Sequence, residues 1–184
     1  MPKVTLVFGL SGVGKSWLCT RFAQRGEALH VSASGLLRAA KERMTGQATT
    51  SEQLRTGAVL SNQDLLVKEF NRLRETSVHQ ILFDGHNLID AGDQIIEVPF
   101  EIIASLRPDG MIFVRSDADV IRQRRSLDLD RERPVRDTVT LEQHQQRGIS
   151  LARDHAEALG VPIAIIEAGD ELAFLHALEG AGQH

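Results

Sequence analysis

Eight residues, Gly9-Leu10-Ser11-Gly12-Val13-Gly14-Lys15-Ser16, restrict this chain more than any others. They follow an apolar run, Val4-Thr5-Leu6-Val7-Phe8, and open into a segment that reads as a helix. They fit G-x-x-x-x-G-K-[ST], the pattern of a loop that wraps phosphate between a strand and a helix. Gly9, Gly12 and Gly14 let the backbone turn tightly, so its N–H groups can face an anion with no Cβ in the way. The helix behind them offers its positive dipole end. Lys15 is placed to reach the outer phosphates, and the Ser16 hydroxyl to ligate Mg²⁺. The expected triphosphate-binding set is Gly9, Ser11, Gly12, Val13, Gly14, Lys15, Ser16 and Trp17. The plain alternative is a glycine-rich strand-to-helix turn that binds nothing.

Around this loop the chain alternates strands with helices. Strands are expected at 3–8, 28–31, 79–83, 111–114 and 161–166. Helices are expected at 15–25, 36–44 with Ser34 as cap, 51–56, 62–76, 99–106, 117–126, 140–159 and 170–178. Residues 45–50 and 88–97 read as loops. The implied fold is α/β, a five-stranded parallel sheet with helices on both faces. Residues 1–184 are expected to form one domain, long enough for a substantial core. Two insertions, 34–77 and 127–137, would lie beyond strand carboxyl ends, where open α/β sheets bind ligands.

Asp84 ends an apolar strand, where an acidic residue can hold the Mg²⁺ shell beside Ser16. The competing reading is a turn aspartate before Gly85. Arginines crowd one region, with Arg115, Arg122, Arg124, Arg125, Arg131, Arg133 and Arg136, while the whole chain has four lysines. Arginine grips phosphate through a planar fork. A mobile arginine-bearing loop can neutralise a transferring phosphoryl group and exclude water. Asp128, Asp130 and Glu132 among these arginines also fit a solvated helix end. Arg38 and Arg55, in the first insertion, are candidates for a second phosphate, and surface arginine is their default reading.

Composition narrows the partners. The formal charge of −4 gives no general attraction to nucleic acid or anionic membrane. Hydrophobic residues at 42% suit an ordinary globular chain, and no apolar run is long enough to span a membrane. The single cysteine, Cys19, excludes a disulfide framework and reads as a packed residue. With no signal peptide apparent, a cytoplasmic location is expected.

Several short segments, in order, resemble the adenylate kinase superfamily. Ser34-Gly35-Leu36-Leu37-Arg38 is similar to the G-D-L-L-R segment that binds the AMP phosphate in bacterial and eukaryotic adenylate kinases. Phe83-Asp84-Gly85 matches their acidic residue and glycine after strand three. The second half looks more like archaeal adenylate kinases: Val98-Pro99, Leu106 to Val114, Gln123-Arg124-Arg125, Arg131-Glu132-Arg133 and Glu142-Gln143-His144-Gln145. Glu52-Gln53-Leu54-Arg55 resembles their D-Q-M-R segment.

The resemblance implies a P-loop NTPase fold with a short lid at 127–137 and a monophosphate-binding insertion at 34–77. It implies a nucleotide kinase that moves the γ-phosphoryl of Mg·ATP to a nucleoside monophosphate, AMP first. Lys15, Arg125, Arg131, Arg133 and Arg136 would act on the transferring group. Arg38, Arg55 and His86 would meet the acceptor, and Ser16 and Asp84 the metal. Asp84-Gly85-His86-Asn87 departs from the common D-G-F-P-R motif and shares His86 with an archaeal D-T-H pattern. His86 therefore has two readings, acceptor contact or turn cap. Two rival functions remain: a kinase of a hydroxyl-bearing small molecule, with Asp84 or Asp90 as base, and a slow ATPase switch or assembly factor. A nucleic-acid end kinase fits the acidic balance less well.

Overall fold

The computed structural model describes residues 1–26, 28–48, 59–92, 94–128 and 134–180, with side chains from residue 62 onward in the helix that begins at 59. The elements in order are β1 (Val4–Phe8), α1 (Lys15–Ala23), β2 (Ala28–Ser32), α2 (Ala33–Thr45), α3 (Val59–Thr76), β3 (Gln80–Asp84), β4 (Leu88–Asp90), β5 (Ile95–Glu97), α4 (Phe100–Ser105), β6 (Gly110–Arg115), α5 (Ala118–Leu127), α6 (Thr138–Leu159), β7 (Ile163–Glu167) and α7 (Glu171–Gly180).

Five strands form one parallel sheet in the order β2-β3-β1-β6-β7. All five correspond to expected strands. β1 is central because every one of its residues is buried, as a strand covered on both faces requires. Its side chains alternate between two cores. Val4, Leu6 and Phe8 join Ile81, Phe83, Met111 and Phe113 against α3, α4 and α6. Val7 joins Leu82, Ile112 and Val114 against α1, α5 and α7, where Phe22 and Phe174 meet edge to face. The chain reverses direction across the sheet at β1, between β3 and β6, so the crevice beyond its carboxyl end is the ligand position of this architecture.

The register levels the strand ends that matter. Asp84 stands beside Val7 of β1 and beside Ser32 of β2. The loop after β1, the start of α2 and the end of β3 thus converge.

Three expectations need correction. Residues 88–97 are not a plain loop: β4 and β5 pair antiparallel, Leu88 with Glu97 and Asp90 with Ile95, around a turn closed by Ala91 N–H to Gln94 O at 2.9 Å. Ser32, not Ser34, caps α2, because its Oγ accepts from Gly35 N–H at 3.3 Å. The long helix begins at Thr138, where Asp137 accepts from Thr140 N–H at 2.7 Å. Both caps spend a side-chain oxygen on an otherwise orphaned helix donor. The helix expected at 51–56 lies outside the described residues.

Candidate functional site

The phosphate loop is built by necessity at Gly9. Its φ is 145°, and a Cβ there would lie 2.4 Å from the Val114 carbonyl oxygen. Gly14, at φ 114°, caps α1 with no side-chain hydrogen bond, and the start of the helix lines the crevice with Gly14, Lys15 and Ser16. Lys15 is buried and donates to the Gly9 and Leu10 carbonyls at 3.0 and 3.2 Å. Its charge is held folded along the loop.

Ser16 Oγ donates to Asp84 Oδ2. His30 also faces that oxygen, with Nε2 at 3.4 Å, while its Nδ1 meets Thr20 Oγ1 at 3.2 Å. A carboxylate only accepts, so Nε2 carries a hydrogen and donates it to Asp84. Burial disfavours the Asp84 carboxylate, but the His30 and Ser16 hydrogen bonds and the Lys15 charge outweigh it, and its pKa falls to about 2. Asp84 is therefore ionised at neutral pH. A hydroxyl and an ionised carboxylate are hard oxygen donors, which fits Mg²⁺.

His86 Nδ1 is 2.9 Å from the Gly9 carbonyl, which can only accept, so Nδ1 is protonated and donates. Burial and the Lys15 charge push its pKa down to about 3, so the ring is neutral at pH 7. Asn87 turns the other way and donates to Gly148 O at 2.7 Å, fixing the strand end to α6. Gln145 pins α6 to the end of β6 by exchanging two hydrogen bonds with the Ser116 backbone, at 3.0 and 2.8 Å.

A cavity of about 630 Å³ runs over these groups. Ser11, Gly12, Gly14, Lys15, Ser16, Asp84 and His86 line it, with Ser32, Ser34 and Arg38 from the start of α2 and Arg124 and Asp128 from the end of α5. An adjoining cavity of about 350 Å³ is lined by Gly14, Trp17, Arg124, Ala168 and Gly169. Trp17 is half exposed there, with the Arg21 guanidinium over its ring at 5.4 Å.

The arginines divide by position. Arg124 lines both cavities and donates to the Val13 carbonyl at 2.6 Å. Arg125 is partly buried, with Nε donating to the Ser11 carbonyl at 2.9 Å and Nη1 3.6 Å from Asp90 Oδ2. Arg136 reaches the same Asp90, its Nη2 3.0 Å from Oδ1. Arg55, Arg131 and Arg133 lie outside the described residues. Sequence reasoning did not assign Arg124 or His30 individual roles, and it weighed Asp90 only as a base. Arg124 carried a signal in its adjacency to Arg125; His30 carried none, because its partner is 54 residues away. Cys19 is buried, which raises its thiol pKa and keeps it unreactive. Among the described residues, no helix is long and apolar enough to cross a membrane.

A family model described as an AAA domain matches residues 8–142. Adenylate kinase from Pyrococcus furiosus is 26% identical over 170 residues, spanning 91% of this chain and 87% of that protein. Adenylate kinase from Methanothermobacter thermautotrophicus is 26% identical over 168 residues, spanning 90% of each. Among solved structures, a shikimate kinase from Bacteroides thetaiotaomicron superposes with a TM-score of 0.53 at 14% identity, covering 96% of this chain and 94% of that one. A gluconokinase from Sinorhizobium meliloti gives a TM-score of 0.52 at 16% identity, covering 99% and 93%. These superpositions establish the P-loop NTPase fold.

Proposed function

We propose that this chain, which belongs to the AAA-domain family and to the adenylate kinase superfamily, transfers the γ-phosphoryl group of Mg·ATP to a nucleoside monophosphate, AMP being the first acceptor to test. Membership makes it a P-loop kinase; the acceptor is our reading. One observation carries it. A single cavity holds both the phosphate loop and Arg38, the residue in the place of the monophosphate-binding arginine of the resembling enzymes.

In this reading Lys15 leaves the Gly9 and Leu10 carbonyls and turns to the phosphates as the loop amides close on them. Ser16 and Asp84 would hold Mg²⁺, which supplies charge neutralisation across the phosphate oxygens. Arg38 orients the acceptor phosphate, with Arg55 expected beside it. Arg125, Arg131, Arg133 and Arg136 would serve the transferring group, and Arg124 the donor side. Residues 34–77 would be the acceptor-binding insertion and 127–137 the lid of one kinase domain. An ionised phosphate acceptor needs no base. That agrees with the state of Asp84, which is engaged by Ser16 and His30. A hydroxyl acceptor would call for a carboxylate kept available.

The test is a coupled ADP-release assay with Mg·ATP and each of AMP, dAMP, CMP, UMP and GMP, with Lys15→Ala as control. A Lys15-dependent rate with one of them supports the reading and names the acceptor. No acceptor-dependent rate with any of them overturns it and moves the assignment to a hydroxyl-bearing acceptor or to a slow ATPase switch.

A further inference from the structure

Asp90 sits on β4 with its side chain 13% exposed. It faces two arginines, one just before and one at the end of the segment 127–137 expected to form the lid. Arg125 comes from the last turn of α5, with Nη1 3.6 Å from Oδ2. Arg136 precedes the cap of α6; its Nη2 lies 3.0 Å from Oδ1 and its Nε 3.4 Å from Oδ2. Arg136 also donates to the Gly92 carbonyl in the hairpin turn. Arg125 in turn donates through Nε to Ser11 O in the phosphate loop. One carboxylate thereby links the hairpin, the last turn of α5, Arg136 and, through Arg125, the phosphate loop.

The chemistry of this link matches that of a phosphate. Arg136 offers a fork to two carboxylate oxygens, the same geometry by which arginine receives two phosphate oxygens. Arg125 is only 8% exposed, so its charge requires an anion close by. A triphosphate on the loop brings more negative charge to the same neighbourhood and competes for both guanidinium groups. The hairpin β4–β5, absent from the sequence expectation, is what carries the carboxylate to that place.

We propose that Asp90 is an internal stand-in for phosphate: it holds Arg125 and Arg136 beside the loop and yields them to the phosphates of the bound nucleotide. Asp90 is a positioning residue, since it touches the arginines and not the reacting atoms. The inference rests on the reading above only in placing a triphosphate at the loop.

The test is equilibrium binding of a non-hydrolysable ATP analogue with Mg²⁺ to the full chain, followed by the fluorescence of its single tryptophan, Trp17. Asp90→Asn keeps the shape and removes the competing charge. The expected result is a Kd lowered about 5-fold, with a steeper dependence on salt. Asp90→Glu keeps the charge and is expected to bind as the parent does. A folded Asp90→Asn protein with unchanged or weaker binding overturns the proposal, because a merely structural role lowers the melting temperature without tightening a ligand. If Asp90→Asn does not fold, the parent decides by NMR of arginine Nε–H groups. The Arg136 signal, assigned with Arg136→Lys, must move when the analogue binds, and a stationary signal overturns the proposal. A parent that binds the analogue but forms no acceptor-dependent ADP overturns the kinase reading alone. A parent that binds none overturns both.

Discussion

The Ser16 hydroxyl donates to Asp84 Oδ2 across 68 residues of sequence, joining the first helix of the chain to the end of β3. Sheet register makes this contact: β1 and β3 are neighbours, with Val7 level with Asp84, so the loop leaving β1 passes over the carboxylate. His30 steadies the same oxygen from β2. The result is an ionised, oriented carboxylate beside a hydroxyl, at the place where the phosphate loop ends.

Replacing Asp84 by Asn removes the charge and keeps the size. The Mg²⁺ concentration needed for half-maximal ADP formation should rise at least about 10-fold, since a hard divalent cation loses its anionic ligand. A magnesium titration at saturating ATP measures this. An unchanged magnesium requirement would remove Asp84 from the metal site.

Lys15→Ala should lower kcat by about 10²–10³-fold, the scale for losing one preorganised group on developing charge. The folded state should survive, because Lys15 lies in the phosphate loop, where its tip donates to the Gly9 and Leu10 carbonyls, and outside the two apolar cores. Circular dichroism beside the kinetic assay separates the two effects.

Arg38 lines the cavity from α2, away from the loop. Its replacement by Ala should raise the acceptor KM by about 10- to 100-fold, the size of a lost charged hydrogen bond, with the ATP KM unchanged. An increase confined to the ATP KM would place Arg38 on the donor instead.

His86 gives the fold an acid sensitivity of known sign. Burial holds its folded pKa near 3, below the ordinary value of 6.5. The unfolded chain therefore binds the extra proton between those pH values, and stability falls as pH drops through 6.5 toward 3. Between pH 7 and 5 the parent should lose about 2 kcal/mol more than His86→Gln, read from urea midpoints at each pH. Equal losses would show that the folded ring takes up its proton over the same pH range as the unfolded one.

Gly148 is a packing glycine inside α6. A Cβ there would meet Phe113 Cε2 at 2.9 Å and Cζ at 3.0 Å, and Phe113 is fully buried. Gly148→Ala gains about 1 kcal/mol in helix propensity but overpacks the core by about 1–3 kcal/mol. The expected net is a melting temperature lowered by a few degrees, about 2–4 °C per kcal/mol at this chain length. A raised melting temperature would mean that Phe113 moves aside.

The sequence by itself determined the sheet and the heart of the site. Each strand is a short apolar run bounded by turn residues, and the glycine spacing from Gly9 to Gly14 admits few backbone paths. Asp84 was legible for the same reason, standing where an apolar strand ends. Local signals failed where the deciding partner is remote. Ser32 and Ser34 are both good caps in isolation, and the chain stays extended through Ser32, the last residue of β2, so the helix starts at Ala33. The run 88–97 carries a hairpin signal in Gly92-Asp93, which a loop reading passes over because the flanking strands are only three residues each, and Arg147 of α6 reaches Glu97 at its end. Arg124 and Arg125 are adjacent in sequence, yet one faces the cavities and the other Asp90, because neighbours on a helix point about 100° apart and only the docking of α5 sets which direction is inward. Periodicity and glycine spacing are properties of a segment. The pairing of His30 with Asp84, and of two arginines with Asp90, exists only once the chain has brought distant segments within a few ångströms.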